Sequence, residues 1–154
     1  IWFQKKNNLK ADGVVGSATA AALGLSLNGG SVSAAAATES ETYLLARLVH
    51  GEARGESYTG KVAVAAVVLN RVRSAAFPNT ISGVIFQSGA FDCVADGQIW
   101  LTPDQDSIRA ASDALAGWDP TSGCVYYYNP ATATSSWIWS REVRLTIGAH
   151  AFAV

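Results

Sequence analysis

The 154-residue chain lacks, or has little of, several residue types on which particular functions depend. It has no methionine, two histidines, two cysteines and four prolines, and only 15% of its residues are charged. The formal net charge is −1, so the excess of basic residues typical of nucleic-acid-binding proteins is missing. The longest dense apolar run, residues 62–69, is far too short to span a bilayer. The composition therefore argues against nucleic-acid binding and against a transmembrane segment.

The scarcity of histidine and cysteine also argues against a metal site. His50 and His150 stand far apart in the chain, and no H-E-x-x-H pattern places two histidines on one helix face. A site that combined them with Glu52, Cys93 or Cys124 would depend wholly on tertiary contacts, so we expect neither a metal nor another cofactor. The two cysteines could form a disulfide or remain buried free thiols, and their spacing alone decides neither.

The residues that are present divide the chain into three parts. About half of all residues are apolar, which is enough for one well-buried domain. Residues 1–27 are predicted to be a short helical fragment with a loop, residues 28–40 have the small, polar composition of a flexible linker, and residues 41–154 are continuously patterned. Because the chain opens inside a helical pattern without methionine, we expect a processed form or fragment whose targeting segment lies upstream.

The first two thirds of the main domain are predicted to be helical. A helix begins near Glu41, after Thr38 or Ser40 as its cap, and ends close to Glu52. An all-apolar stretch then indicates a buried central helix, although a buried strand has the same pattern. The apolar helix is predicted at residues 58–72, with Ser57 as its cap, and a short helix capped by Thr80 is predicted to run through Phe86. A further helix is predicted within residues 102–117. Its signals are Thr102 as cap, Pro103 at the first position, Gln105 in a capping box and Gly117 as the stop.

The last third is rich in aromatic residues and is predicted to form a β-hairpin. Its arms are residues 124–130 and 135–141, around the turn PATATS, and residues 141–152 are expected to begin as a helix. Strand alternation gives the expected faces: Tyr126 with Tyr128, Tyr127 opposite, and Trp137 with Trp139. Helices followed by a small β unit indicate an α+β domain, mostly helical with a β-hairpin near the C-terminus.

The stretch HGEARGE, residues 50–56, combines charge with glycine in a chain where charge is scarce. A solvated charge cluster is one explanation for its Glu52, Arg54 and Glu56. The other is a general acid, because glycines on either side give close backbone approach and access for a substrate. We expect Arg54 to point outward or to pair with Glu56.

The aromatic residues of the last third suggest a saccharide groove as well as core packing. Ring faces stack on sugar C–H faces while the polar tips of tyrosine and tryptophan form hydrogen bonds. The candidate substrate contacts are Glu56, Phe91, Gln98, Tyr127, Asn129 and Trp139.

Two parts of the chain resemble known families. FQKKNNLKADGVVGSATAAAL, residues 3–23, resembles the second half of a small three-helix peptidoglycan-binding domain. Residues 41–152 resemble the spore cortex-lytic enzymes, the SleB/CwlJ-type cell wall hydrolase family. The motifs that carry this likeness are ARLVHGEARGESYTGKVAVAAVVLNRV, GVIFQSGAFDCVADGQIW and GWDPTSGCVYYYNPATATSSWIW with the trailing IGAHAF.

The resemblance implies a small lysozyme-like, lytic transglycosylase-like domain. It implies cleavage of the glycan strand of spore-cortex peptidoglycan during germination, with Glu52 as the catalytic acid and muramic-δ-lactam as a recognition element. It further implies an extracytoplasmic protein, secreted to the cortex or the inner spore membrane surface. We expect a monomer, with a regulatory spore protein as a candidate partner.

Three alternatives to the transglycosylase stay open. A glycan hydrolase would need a second carboxylate, for which Glu56, Asp92 and Asp96 are the candidates. A metal-dependent peptidoglycan amidase is disfavoured by the shortage of histidines. A wall-binding module without catalysis would use only the N-terminal remnant and the aromatic segment.

Overall fold

A computed structural model of the protein describes residues 39–154. The N-terminal remnant, Thr38 and nearly all of the expected linker lie outside the described residues. The helices are α1 (Glu39–Ala53), α2 (Tyr58–Arg73), α3 (Ile81–Ile85), α4 (Asp92–Ala95), α5 (Gln105–Leu115) and α6 (Ser136–Trp139), with a 3-10 turn at Gln98–Trp100. The strands are β1 (Tyr126–Tyr128), β2 (Val143–Ile147) and β3 (His150–Ala153). None of the described helices is long and apolar enough to cross a membrane.

Three helices, α1, α2 and α5, pack against one another and form the core. The buried central helix predicted from the apolar stretch is confirmed, since residues 60–69 of α2 are all buried. Helix α5 contributes mainly small side chains such as Ala110 and Ala114, which let the helices approach closely. Burial of this apolar surface is the main force that holds the helical part together.

Side-chain caps set where four of the described helices begin, and two of the four caps, Ser57 and Thr80, were predicted. The Ser57 side chain accepts from Gly60 N at 3.2 Å, and the Thr80 side chain accepts from Gly83 N at 3.0 Å. The predicted start of α5 at Thr102 is wrong, because Asp104 caps that helix and accepts from Ser107 N at 2.8 Å. A carboxylate cap placed two residues further on thus replaces the expected threonine. Ser40 lies inside α1 and does not cap it.

The predicted hairpin of residues 124–141 is wrong in its second arm. Strand β1 pairs antiparallel with β3, in the register Tyr127↔Phe152. Trp137 and Trp139 lie instead in the short helix α6, where the Ser135 side chain accepts from Ile138 N at 3.4 Å. The preference of tryptophan for strands is overridden by this local serine cap, so the expected pairing of the two tryptophans on one strand face does not occur.

The closing segment, which was expected to begin as a helix, forms the β2–β3 hairpin. The sheet order is β1-β3-β2, and β2 pairs antiparallel with β3. Val143, Leu145 and Ile147 alternate with polar residues in β2, the two-residue period that favours a strand. Gly148 makes the turn at a φ of +56°, which glycine adopts without steric cost. The α+β class, mostly helical with a hairpin near the C-terminus, is confirmed.

Candidate active site

Glu52 lies in the last turn of α1, as the sequence predicted, and both of its carboxylate oxygens accept hydrogen bonds. The Tyr127 hydroxyl donates to Oε1 at 2.5 Å, and the backbone N–H of Cys93 donates to Oε2 at 3.1 Å. The donors come from β1 and from the first turn of α4. Three separate elements therefore hold one carboxylate in one orientation.

Gly51 makes the approach of α4 to α1 possible. A Cβ atom at this position would lie 2.7 Å from Cys93 Cβ and 2.9 Å from Cys93 Sγ, closer than side-chain carbon atoms can approach. Nothing lies within 4 Å of the position that a Cβ at Gly55 would occupy. The two glycines of HGEARGE thus have different roles: Gly51 lets Cys93 reach Glu52, and Gly55 lies in an open turn.

The side chains beside Glu52 are kept neutral. Burial, and after it the charge of Glu52, raises the pKa of the Tyr127 phenol well above its ordinary value, so the phenol remains a hydrogen-bond donor. Burial, and then the charge of Glu52, also raises the pKa of the Cys93 thiol. Cys93 and Cys124 are both buried free thiols, which resolves the two possibilities left open by their spacing. A buried protonated thiol is a poor nucleophile, so Cys93 serves packing.

His150 is a site residue that sequence reasoning missed. Its ring packs edge-on against Tyr127, with 5.0 Å between ring centroids, and its Nδ1 lies 3.8 Å from Glu56 Oε1. Glu56 also accepts from Ala149 N at 3.1 Å. A Cβ at Gly148 would lie 2.3 Å from Glu56 Oε1, so a larger residue there would displace the Glu56 carboxylate from the turn. The only signal in the sequence was the glycine before AHAF, and the hairpin that brings His150 back was not predicted.

Glu52 opens onto a cleft of about 530 Å³ between the helical part and the sheet. The loop after β1 forms one wall. The lining includes Gly51, Glu52, Arg71, Phe91, Asp92, Cys93, Asp96, Gln98, Tyr127, Asn129, Ala133, Ile138 and His150. Carboxylates, amides and aromatic rings thus face one space, the combination of polar groups and rings typical of ligand-binding clefts.

Most of the predicted substrate contacts lie at this cleft. Phe91, Gln98, Tyr127 and Asn129 line it with Glu52. The lining does not include Glu56, whose carboxylate sits against the β2–β3 turn. Trp139 is also outside the lining, and its indole Nε1 donates to Ala133 O at 3.1 Å.

Arg54 does not pair with Glu56, which was one of its two expected arrangements. Its side chain is exposed, and its guanidinium donates to the side-chain oxygen of Gln98 and lies 3.4 Å from His50 Nε2. The cluster HGEARGE is therefore not a self-contained ion-pair network. Within residues 39–154, no group of three or more histidine, cysteine, aspartate or glutamate side chains is arranged to hold a metal ion.

The sequence and the fold are similar to those of known proteins. A family model described as Cell Wall Hydrolase matches residues 55–153, and one described as a putative peptidoglycan binding domain matches residues 1–23. The chain belongs to the cell wall hydrolase family. Glu52 lies just before the matched range, so this match does not include it.

Individual proteins and solved structures are also similar to this chain. A spore cortex-lytic enzyme of Bacillus cereus is 57% identical over 115 residues, which are 75% of this chain and 44% of that protein. The chain thus spans less than half the length of that curated relative. The solved catalytic domain of the germination-specific lytic transglycosylase SleB from Bacillus anthracis is 55% identical with a TM-score of 0.74, covering 77% of this chain and 97% of that one. The catalytic domain of the Bacillus cereus SleB protein is 56% identical with a TM-score of 0.73, covering 76% and 91%.

Proposed function

We propose that this protein cleaves the glycan backbone of spore-cortex peptidoglycan during germination, as a lytic transglycosylase in which Glu52 is the catalytic acid. The observation that carries the proposal is the Glu52 carboxylate, which lines the cleft and whose two oxygens accept from donors on two other elements, the Tyr127 hydroxyl and Cys93 N. The similarity to the SleB catalytic domains supports the reaction type, and the match of residues 1–23 to a peptidoglycan-binding model supports the substrate.

The proposed reaction needs one residue for both proton transfers. Glu52 donates its proton to the glycosidic oxygen, and the bond between that oxygen and C1 of the muramic residue breaks. The oxocarbenium-like C1 is then attacked by the C6 hydroxyl of the same sugar. The Glu52 carboxylate takes the hydroxyl proton, so the acid is regenerated and a 1,6-anhydro end is formed without water.

The surroundings of Glu52 suit this double role. Tyr127 and Cys93 N hold the carboxyl group in place in either protonation state, because each donates to one of its oxygens. A fixed acid needs no reorientation between the two steps. Phe91, Gln98 and Asn129 are proposed to position the sugar rings along the cleft. Glu56 and Trp139 are proposed to act indirectly, through His150 and Ala133.

The cellular setting is part of the same proposal. The protein is proposed to act outside the cytoplasmic membrane, at the spore cortex, on strands that contain muramic-δ-lactam. We propose that it acts as a monomer, with a regulatory spore protein as a candidate partner.

Digestion of cortex peptidoglycan in ¹⁸O-labelled water tests the reaction. A transglycosylase yields 1,6-anhydromuramic ends that carry no label. A hydrolase yields reducing ends with one ¹⁸O atom, and that product would move attention to Asp92 and Asp96, the other carboxylates that line the cleft.

Substitution of the carboxylates tests the residue assignment. Glu52→Gln should keep the fold, because its amide can accept from Cys93 N and donate to the Tyr127 hydroxyl. Cleavage should fall by at least about a hundredfold, because an amide cannot deliver a proton. Asp92→Asn and Asp96→Asn are the matched controls and should stay within about tenfold of the unchanged protein. Glu52→Gln activity inside that same range would overturn the assignment.

A further inference from the structure

Arg71 is a buried cation at the cleft that the proposed reaction does not use. It lies near the end of α2, directly after the run of buried apolar residues, and its exposed fraction is 8%. It nevertheless lines the same cleft as Glu52 and Asn129. A charged side chain that is more than nine-tenths buried and borders a binding cleft calls for an explanation.

The protein satisfies only part of the hydrogen-bonding capacity of Arg71. Its Nε donates to Val125 O at 2.7 Å. No carboxylate of residues 39–154 forms an ion pair with it. Burial accordingly lowers the pKa of the guanidinium, the direction expected for a cation removed from water. Two NH₂ groups therefore remain for a partner outside the described part of the chain.

Aromatic rings hold the guanidinium in place. Its central carbon lies 5.0 Å from the centroid of the Phe77 ring, 5.3 Å from that of Phe91 and 5.6 Å from that of Tyr126. These contacts are attractive, but they do not replace hydrogen-bond acceptors in the plane of the guanidinium. The rings thus fix the position of a donor group and leave its hydrogen bonds to be completed.

Two aromatic rings, those of Phe91 and Tyr127, connect Arg71 with the catalytic residue. Phe91, which contacts Arg71, also stacks on Tyr127 with 6.4 Å between ring centroids, and Tyr127 donates to Glu52. Glu52 and Arg71 line the same cleft, so a saccharide bound there can contact both residues.

The charges around the cleft select the kind of acceptor. Arginine donates hydrogen bonds but accepts none, so it favours groups that only accept, such as carbonyl and carboxylate oxygens, over hydroxyls. The cleft already contains the carboxylates of Glu52, Asp92 and Asp96, and a further free carboxylate would be repelled. A neutral carbonyl oxygen meets both conditions.

We propose that Arg71 binds a neutral carbonyl oxygen on the saccharide next to the scissile bond, and so selects substituted muramic or glucosamine units over bare sugars. This inference rests on the proposed function, since it takes the glycan strand as the substrate. The carbonyl can come from a muramic lactam or from an N-acetyl group. Both groups present a neutral carbonyl oxygen, and the experiment below distinguishes them.

The test compares three glycan fragments: one with the lactam intact, one with the lactam opened to an amine and a carboxylate, and one without N-acetyl groups. The measurement is the ratio of kcat/KM between fragments, for the unchanged protein and for Arg71→Met. This ratio does not depend on the amount of folded enzyme, so it can be read even if the variant is less stable. Arg71→Lys keeps the charge without the planar fork, and Arg73→Met is the control, because Arg73 is an exposed cation on the same helix.

The unchanged protein should prefer the intact fragment at least about tenfold over one of the other two, from the loss of a charged hydrogen bond. Arg71→Met should lose that preference through a higher KM, Arg71→Lys should keep part of it, and Arg73→Met should keep all of it. If the unchanged protein loses kcat/KM on the fragment with the opened lactam, the lactam carbonyl is the group that Arg71 binds. If it loses kcat/KM on the fragment without N-acetyl groups, the acetamido carbonyl is that group. An unchanged preference in Arg71→Met, or a preference for the free carboxylate, would overturn the inference.

The proposed function can fail separately from the role of Arg71. Labelled reducing ends, or an active Glu52→Gln, would change the mechanism and leave the fragment ratios readable. Should none of the fragments be cleaved, the proposed function fails, and calorimetric affinities for the same fragments test Arg71 directly.

Discussion

The helical part and the sheet part of this domain contribute to the cleft in different ways. Helices α1, α2 and α5 are joined by apolar side chains, and residues 60–69 are buried without a gap. The sheet part, by contrast, is mostly half-buried or exposed, and Trp137 and Trp139 are 52% and 50% exposed. Phe152 of β3 is buried in the same apolar core as the helices, and polar contacts add to this attachment: Asn70 Nδ2 on α2 donates to Cys124 O at 2.9 Å and to Asp119 Oδ2 at 2.9 Å.

This difference separates stability from orientation. Apolar packing fixes where Glu52 lies, but it exerts little control over the direction of a carboxylate. Direction comes from the Tyr127 hydroxyl on the sheet and the Cys93 N–H on α4, since hydrogen bonds depend on angle as well as distance. Changes in the helical part should therefore disturb the site by moving elements, and changes in the sheet part by loosening contacts.

The largest effect is expected from Gly51→Ala, with Gly55→Ala as its control. The new methyl group would overlap Cys93, so α4 must move away from α1 and the Cys93 hydrogen bond to Glu52 would be lost. Because displacements of about 1 Å can cost roughly a hundredfold in rate, we expect a loss of that order in kcat. Gly55→Ala, with open space around it, should stay near the rate of the unchanged protein. Equal kcat values for the two variants would contradict this account of Gly51.

The next effect is expected from Tyr127→Phe, which removes one hydroxyl and keeps the ring contacts. A hydrogen bond to a charged group is worth about 1.5–3 kcal/mol, so kcat should fall by roughly tenfold to a hundredfold. KM should change little if Tyr127 acts through Glu52. A higher KM at unchanged kcat would instead show that the hydroxyl binds substrate directly.

Sequence reasoning succeeded where the cause of a structure lies close by in the chain. Ser57 and Thr80 cap helices through residues three positions further on, and the helix that carries Glu52 was placed correctly. It missed the local caps Asp104 and Ser135, and it also failed where distant residues decide the outcome. The place of His150 at the cleft depends on the pairing of β3 with β1, and the need for glycine at position 51 depends on Cys93. Neither contact can be predicted from the residues that neighbour His150 or Gly51 in the sequence.

The polar attachment of the sheet part should weaken in Asp119→Asn. Asp119 accepts from Thr121 N and Gly123 N, each at 2.8 Å, as well as from Asn70. In Asp119→Asn the side-chain NH₂ group would replace one accepting oxygen and face an N–H donor, so one of these hydrogen bonds would be lost. The free energy of unfolding should therefore fall by about 1–3 kcal/mol. Thermal unfolding at neutral pH measures this, with Asp106→Asn as the control, because Asp106 on α5 is exposed and forms only a surface ion pair with Arg109.

The same carboxylate predicts a pH dependence of stability. Burial acts to raise the pKa of Asp119, but the hydrogen bonds from Thr121, Asn70 and Gly123 outweigh it and leave the pKa below its ordinary value of 3.8. A carboxyl group whose pKa is lower in the folded than in the unfolded protein stabilises the fold at pH values above the unfolded pKa. This stabilisation is lost as the pH falls through the folded pKa. The stability difference between the unchanged protein and Asp119→Asn should therefore persist at neutral pH and shrink in acid. A difference that stays constant into strong acid would exclude this linkage.

The smallest effect is expected at the exposed tryptophans. Trp139→Ala should raise KM for glycan fragments more than Trp137→Ala does. The Trp139 indole donates to Ala133 O, and Ala133 lines the cleft, so its loss should loosen that wall. Trp137 packs edge-on against Tyr126, with 5.1 Å between ring centroids, and lies outside the lining. Loss of one neutral hydrogen bond, about 1 kcal/mol, should raise KM for glycan fragments about fivefold in Trp139→Ala, with kcat nearly unchanged. Trp137→Ala should change neither constant by more than about twofold, as usual for an exposed surface position. If Trp137→Ala raises KM more than Trp139→Ala, the glycan strand runs over the outer face of α6, and the sheet part binds substrate beyond the cleft itself.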